Sequence, residues 1–188
     1  MSSAIPPPAA RYGTTAIALH WVLGLAILAL LVMGWYMTDL PISPQRLKLY
    51  NWHKWAGMTI LALSVLRLAV RLVHWPPPLP AKVLSTMPTW QQLAHHGTHH
   101  LLYALFFIVP LLGWAYSSAA GFPIVVFGLV PLPDFVPVSP ALADILKPLH
   151  GLTAYALAAL VVLHVGAVLK HQFIDRDGLM ARMLWGRG

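Results

Sequence analysis

Long apolar runs separated by proline-marked polar stretches set the plan of this chain. Four runs reach the roughly 20 residues that a helix needs to cross a bilayer, at 15–37, 50–73, 93–117 and 148–171. All four are rich in Leu and Ala, and an open sheet edge leaves its amides unpaired in lipid, so each run predicts a helix. Prolines punctuate the connections: Pro41 and Pro44, then Pro76, Pro77, Pro78 and Pro80, then Pro131, Pro133, Pro137 and Pro140. Pro110 falls inside the third run and predicts a kink there, which buried neighbours tolerate. The apolar run 122–130 is too short to span and predicts a re-entrant or interfacial segment. Flanking segments lie at 1–14 and 174–188. The first contains Pro6-Pro7-Pro8 but no lysine-rich start or clear cleavage site, so it does not read as a signal peptide.

Composition sharpens this into an integral membrane protein. The chain is 59% hydrophobic and 9% charged, against about 25% charged residues in soluble domains. Its net charge of +7 comes from only 12 Lys and Arg residues. They read as topology signals and headgroup contacts, with no nucleic-acid face. Four spans put both termini on one side. That side carries Arg11, Arg67, Arg71, Lys82, Lys170, Arg176, Arg182 and Arg187, eight in all. The other carries Arg46, Lys48, Lys54 and Lys147, four in all. The positive-inside rule then places the termini in the cytoplasm. Trp21, Trp35, Trp52, Trp55, Trp75, Trp90 and Trp114 fall near span ends, as interfacial belts do.

Ionisable side chains at membrane depth are costly and mark function. His20, His53, His150 and His164 all sit near span ends. His150 and His164 are 14 residues apart, which in a helix returns to within about 40° of one face, roughly 21 Å further along. The first span runs outward, so His20 shares a depth with His164. His53 and His150 each fall in the first turn of their predicted spans and share the other depth. Two depth-matched imidazole pairs suit two stacked haems, each held between a pair. The plain alternative is four polar packing residues bonded to nearby carbonyls. Gly24 and Gly57 follow His20 and His53 by one turn; they leave room for a flat macrocycle or serve close helix contact. Cysteine is absent, which excludes disulfides, thioether-attached haem and cysteine-held iron–sulfur clusters. No glycine-rich dinucleotide fingerprint or phosphate loop occurs. The segments outside the spans are too short for a nicotinamide or flavin domain.

A second cluster opens the third span. His95 with His99, and His96 with His100, share helical faces. Such pairs suit a metal, proton exchange with a quinone headgroup, or a helix end wetted by headgroups. His171 lies near the same end, seven residues after His164, and His74 reads as interfacial. Arg67 and Arg71 share a face at the inner end of the second span. They suit a cofactor carboxylate or lipid phosphate equally.

Taken together, Arg11-Tyr12, Ala18-Leu19-His20-Trp21, Trp52-His53-Lys54 with Gly57, and Arg67 to Arg71 form a recognisable series. It continues through Ala94-His95-His96-Gly97-Thr98-His99, Tyr103, Pro110 to Gly113, Lys147-Pro148-Leu149-His150-Gly151, His164 and Arg176-Asp177-Gly178. This series resembles the bacterial cytochrome b561 family, whose four-helix domain is shared with haem b subunits of hydrogenases and formate dehydrogenases. The resemblance covers about 11–185. It implies an all-α integral membrane protein, a four-helix transmembrane bundle enclosing two stacked b-type haems. Carried over, His20 with His164 ligates the inner haem iron, and His53 with His150 the outer. Arg67 and Arg71 would meet haem propionates. The resemblance also implies superoxide oxidation at the periplasmic face and ubiquinone reduction, a superoxide:ubiquinone oxidoreductase. Lys147 and Lys54 would steer superoxide; His99, His171 and His96 would serve the quinone. His95, His100 and the proline-led N-terminus depart from the family pattern. The rival function is a haem b electron conduit fed by a periplasmic redox partner, without superoxide activity of its own. A transporter or structural membrane protein is a third class, and it predicts no haem spectrum.

Overall fold

A computed structural model describes residues 11–186. Expectations resting on 1–10 and on Arg187 lie outside the described residues. Among the described residues, five α-helices and one small hairpin follow in order: α1 (Thr14–Asp39), α2 (Pro44–Val73), α3 (Ala81–Thr86), α4 (Thr89–Ala119), β1 (Val125–Val126), β2 (Val130–Pro131) and α5 (Pro140–Lys170). α1, α2, α4 and α5 are each long and apolar enough to cross a membrane. The chain folds as the expected all-α four-helix bundle.

All four long helices overrun the predicted spans, and the cause is local. Ser43 and Ser139 cap α2 and α5, their hydroxyls accepting from the backbone N–H of Arg46 and Leu142. Pro44 and Pro140 then occupy the first helical turn, where a missing N–H costs nothing. Two prolines read as linker are therefore helix starts. His53 and His150 consequently lie more than two turns inside their helices, not in the first turn. α4 continues through Pro110 as one helix.

The run at 122–130, expected as a re-entrant or interfacial segment, carries a two-stranded hairpin joining α4 to α5. Val125 pairs with Pro131 and Val126 with Val130. Its three-residue turn, between Val126 and Val130, places Phe127 at φ 53° and Gly128 at φ 72°.

Packing runs α1 on α2, α2 on α4 and α4 on α5, while α1 and α5 meet only sparingly. The core is a single layer at mid-height: Leu23 and Ile27 of α1, Ile60 of α2, Leu102 of α4 and Leu157 of α5. Leu157 stands two turns from both His150 and His164. An apolar layer therefore separates two histidine-bearing storeys. Lipid removes the hydrophobic drive between helices, so this layer holds by close packing. α5 buries only Ala143 and Leu157 along its length, so its two histidines face room and not a tight side-chain core.

The tail does not trail from the bundle. A π-helical turn at His171–Asp175 ends α5, and a short 3-10 turn follows at Met180–Met183. Arg182 is 4% exposed. It donates to the carbonyls of Pro77 (2.7 Å) and Pro78 (2.9 Å), with its guanidinium over the Tyr12 ring. Trp21 Nε1 donates to the Met183 carbonyl at 2.7 Å, and Arg11 donates to the carbonyls of Leu184 and Gly186. The α2–α4 connection and both described chain ends are thus tied together beside α1.

Candidate functional site: two histidine pairs in one bundle

The four span histidines meet as two pairs. The ring centroids of His20 and His164 are 6.2 Å apart, with planes crossing at 79°. Those of His53 and His150 are also 6.2 Å apart, crossing at 89°. Metal–imidazole bonds of about 2.0–2.1 Å, the range for zinc, put two opposed rings sharing one ion at roughly this separation. No direct hydrogen bond joins the rings within either pair among the described residues. This is spacing for something between them.

At the outer pair, the end carrying the hairpin, the surroundings hold each ring from behind. His150 Nδ1 lies 3.0 Å from the Val109 carbonyl. Donation to that oxygen leaves the lone pair on Nε2 and fixes the tautomer, as an imidazole ligand requires. Gly113 lies one turn on in α4; a Cβ there would come within 3.0 Å of His150 Cε1. Gly34 plays the same part for His53, with a Cβ 3.4 Å from Cε1. His53 Nδ1 is buried without a hydrogen-bond partner, and such a group is normally paired. These residues fit a bound metal-centred group.

The inner pair is set among polar neighbours. The His99 ring lies edge-on to His164 at 5.2 Å, and His95 lies 4.7 Å from His99. His99 Nδ1 is 2.6 Å from the His95 carbonyl. Arg67 donates to the Ala16 carbonyl at 3.1 Å and to His20 Nδ1 at 3.3 Å. Arg67 and Arg71 both stand over the Tyr103 ring, at 5.8 and 5.1 Å. Because Arg67 donates, His20 accepts through Nδ1 in this arrangement. Presenting Nε2 to a metal requires Arg67 to turn toward another acceptor. Gly24 has no atom within 4 Å of where its Cβ would lie, so there is room beside His20; Gly57 faces Leu30 of α1 at 4.0 Å, as helix packing does.

The remaining candidates divide. His171 is 8% exposed; its Nδ1 is 2.6 Å from Asp177 and 3.1 Å from Asp175, which also pairs with Lys170 at 2.6 Å. Its other nitrogen lies 3.4 Å from Gln91 Nε2. His96 and His100 are exposed, and the His100 ring bonds back to the His96 carbonyl at 2.8 Å. Among the described residues, the group with converging metal-type ligands is His171, Asp175 and Asp177, not the His95–His100 run. His74 is exposed at the end of α2. Lys147 is exposed three residues before His150. Lys54 is partly committed, its Nζ donating to the carbonyls of Phe122 (3.3 Å) and Pro123 (3.4 Å). Sequence reasoning missed Gly34, Gly113 and Val109, since nothing local shows which glycine or carbonyl a distant helix brings behind a histidine. It also missed the pairing of Asp177 with His171, although the Asp177-Gly178 turn six residues on was visible.

The family model for prokaryotic cytochrome b561 matches residues 11–186. The chain belongs to the prokaryotic cytochrome b561 family. It is 33% identical to cytochrome b561 homolog 2 of Escherichia coli K12 over 175 residues, covering 93% of this chain and 91% of that protein. It is 31% identical over 179 residues to the probable superoxide oxidase CybB of Yersinia pestis, covering 93% and 96%. Identity to cytochrome b561 homolog 1 of E. coli K12 is 28% over 178 residues, covering 93% and 97%. The cytochrome is therefore a membrane electron-transfer protein, and its family implies b-type haem.

Proposed function

We propose that this cytochrome holds two b haems and moves electrons from superoxide, at the outer pair, to ubiquinone, at the inner pair. The observation that carries the reading is the meeting of four span histidines in two pairs at one spacing, 6.2 Å, on either side of the Leu157 layer. His20 and His164 would hold the inner haem iron, and His53 and His150 the outer. When bound, haem supplies reversible one-electron chemistry.

The chain's own residues do the rest. Two imidazoles would hold each haem iron, a ligand set that favours electron transfer over oxygen binding. Val109, Gly113 and Gly34 fix the outer rings. Arg67, released from His20, and Arg71 offer forked donors to propionate carboxylates. Exposed Lys147 attracts a small anion to the outer end, raising on-rates by roughly 10-fold at low salt; Lys54 adds charge there while tethering the hairpin. Each superoxide gives up one electron and leaves as dioxygen. Two electrons and two protons turn a quinone into a quinol. His99 beside the inner pair, and His171 with Asp177 at the cytoplasmic end, carry those protons, with His96 at the exposed rim. The eight-to-four basic asymmetry supports an inner-membrane bundle with both termini in the cytoplasm.

The test uses the purified haem-loaded chain in vesicles with ubiquinone. Pyridine haemochrome analysis should give close to two haems per chain, and superoxide should reduce them and generate quinol. If dithionite reduces both haems and superoxide neither, the chain is an electron conduit for a periplasmic redox protein.

A further inference from the structure

Away from the histidine pairs, the outer flank of α1 and α2 carries an apolar groove of about 450 Å³. α1 supplies Val22 and Ala26, and α2 supplies Ala56, Ile60 and Leu63. Trp52, Trp55 and Phe127 wall its outer mouth. Thr59, whose side chain is the one hydroxyl in the lining, turns it to the Trp55 carbonyl at 2.9 Å. The surface the groove presents is almost wholly apolar.

Two observations say what fills it. The first is a stripe on one face of α2: Lys48, Trp52, Ala56, Thr59 and Leu63, at steps of three or four residues. Lys48 Nζ sits 4.9 Å from the Trp52 ring centre, at the head of the stripe. Among the described residues no carboxylate pairs with it. A cation, then an aromatic belt, then an apolar trough is the order of an anionic headgroup, its glycerol region and its acyl chain. The second is Phe127. Left-handed backbone favours Gly, Asn or Asp, and a bulky residue at φ 53° is strained. The strain sets the ring 5.8 Å from Trp55 as the groove's outer wall. Lys54 pins the segment before the hairpin to α2, so the wall is anchored.

We infer that this groove is a binding site for one anionic phospholipid of the leaflet at the hairpin end, with its phosphate at Lys48 and one acyl chain along Ala56 to Leu63. The inference is independent of the donor and acceptor proposed above. It belongs to a continuous lipid-facing surface, and the lysine makes it selective.

Native mass spectrometry of the delipidated, haem-loaded chain, titrated with phosphatidylglycerol or phosphatidylcholine, tests it. Wild type should bind one phosphatidylglycerol roughly 5-fold more tightly than phosphatidylcholine, the ratio expected of one lysine at a headgroup plane. Lys48→Glu should erase that preference. Ala56→Phe should remove the bound lipid of either kind while haem content stays at the wild-type value. Thr59→Val, which keeps volume, should bind as wild type does and shows that substitution in the groove is not itself harmful. Equal binding of both lipids by wild type overturns the inference, as does a preference surviving Lys48→Glu. Displacement of the lipid by ubiquinone, or a dimer forming in its place, overturns it too.

Discussion

The outer and inner histidine pairs have the same spacing and opposite surroundings. Behind the outer rings lie glycines and one carbonyl: Gly113 and Val109 for His150, Gly34 for His53. Around the inner rings lie His99, His95, Arg67 and Arg71, with Tyr103 beneath the guanidinium groups. The outer site is set by close packing, which fixes a ring and resists change. The inner site is set by polar groups that can exchange partners, as Arg67 must if His20 is to turn Nε2 to a metal. A fixed site suits taking single electrons from a small diffusing donor. A site with movable donors and several imidazoles suits a reaction that also needs protons. In the function proposed above, the two storeys have different tasks; in the fold they are parted by the Leu23, Ile27, Ile60, Leu102 and Leu157 layer.

The strongest break of this comparison is to remove one storey at a time. His150→Ala should abolish the outer haem and leave the inner low-spin spectrum, and His164→Ala should do the reverse. Haem stoichiometry near one in each variant is the expected result. Loss of both haems from either single variant would mean that the storeys are not independent.

A subtler change should separate packing from polarity. Gly113→Ala puts a methyl 3.0 Å from His150, an overpacking that costs about 1–3 kcal/mol. It should shift the outer haem's potential and lower its retention while sparing the inner haem. Gly34→Ala, at 3.4 Å, should do the same more weakly. Redox titration of the two b-band components would show which haem moves, and a shift confined to the inner component contradicts the packing account.

Arg182 tests how the inner end is held. Arg182→Ala removes buried bonds to Pro77 and Pro78, a loss on the order of 2 kcal/mol. Thermal unfolding should start at lower temperature, with both haems still incorporated at low temperature. An unchanged melting curve would show the tail ties to be incidental.

The smallest effect belongs to the exposed charge. Lys147→Glu should slow haem reduction by superoxide by a few-fold at low salt, and the difference should shrink as salt screens it. Quinol formation from a chemically reduced protein should not change. A Lys147→Glu rate equal to wild type at low salt removes this residue from the donor side.

Much of this molecule could be read from its residues. Four apolar runs gave four helices because a bilayer admits little else at that length. The pairing of His20 with His164 and His53 with His150 followed from depth, because antiparallel spans of similar length place residues by simple counting. Helix starts did not follow so easily: proline marks both a linker and a first helical turn, and only the capping bonds of Ser43 and Ser139 distinguish them. The run at 122–130 has the hydrophobicity of a buried segment, yet a hairpin forms, since positive φ at Phe127 and Gly128 closes a tight turn before the run can extend.

The sequence by itself determined the membrane class, the number of spans and which histidines share a level, since each depends on composition and on distance along one axis; the family was legible in the run of short motifs around those histidines. Only the tertiary structure decided what stands behind each ring: Gly113 and Val109 against His150, Arg67 on His20, Asp177 on His171, and Arg182 across the Pro77–Pro78 connection. Those contacts depend on the rotation of each helix about its own axis and on which neighbour it meets. No local pattern encodes either, because packing among all the helices sets both at once.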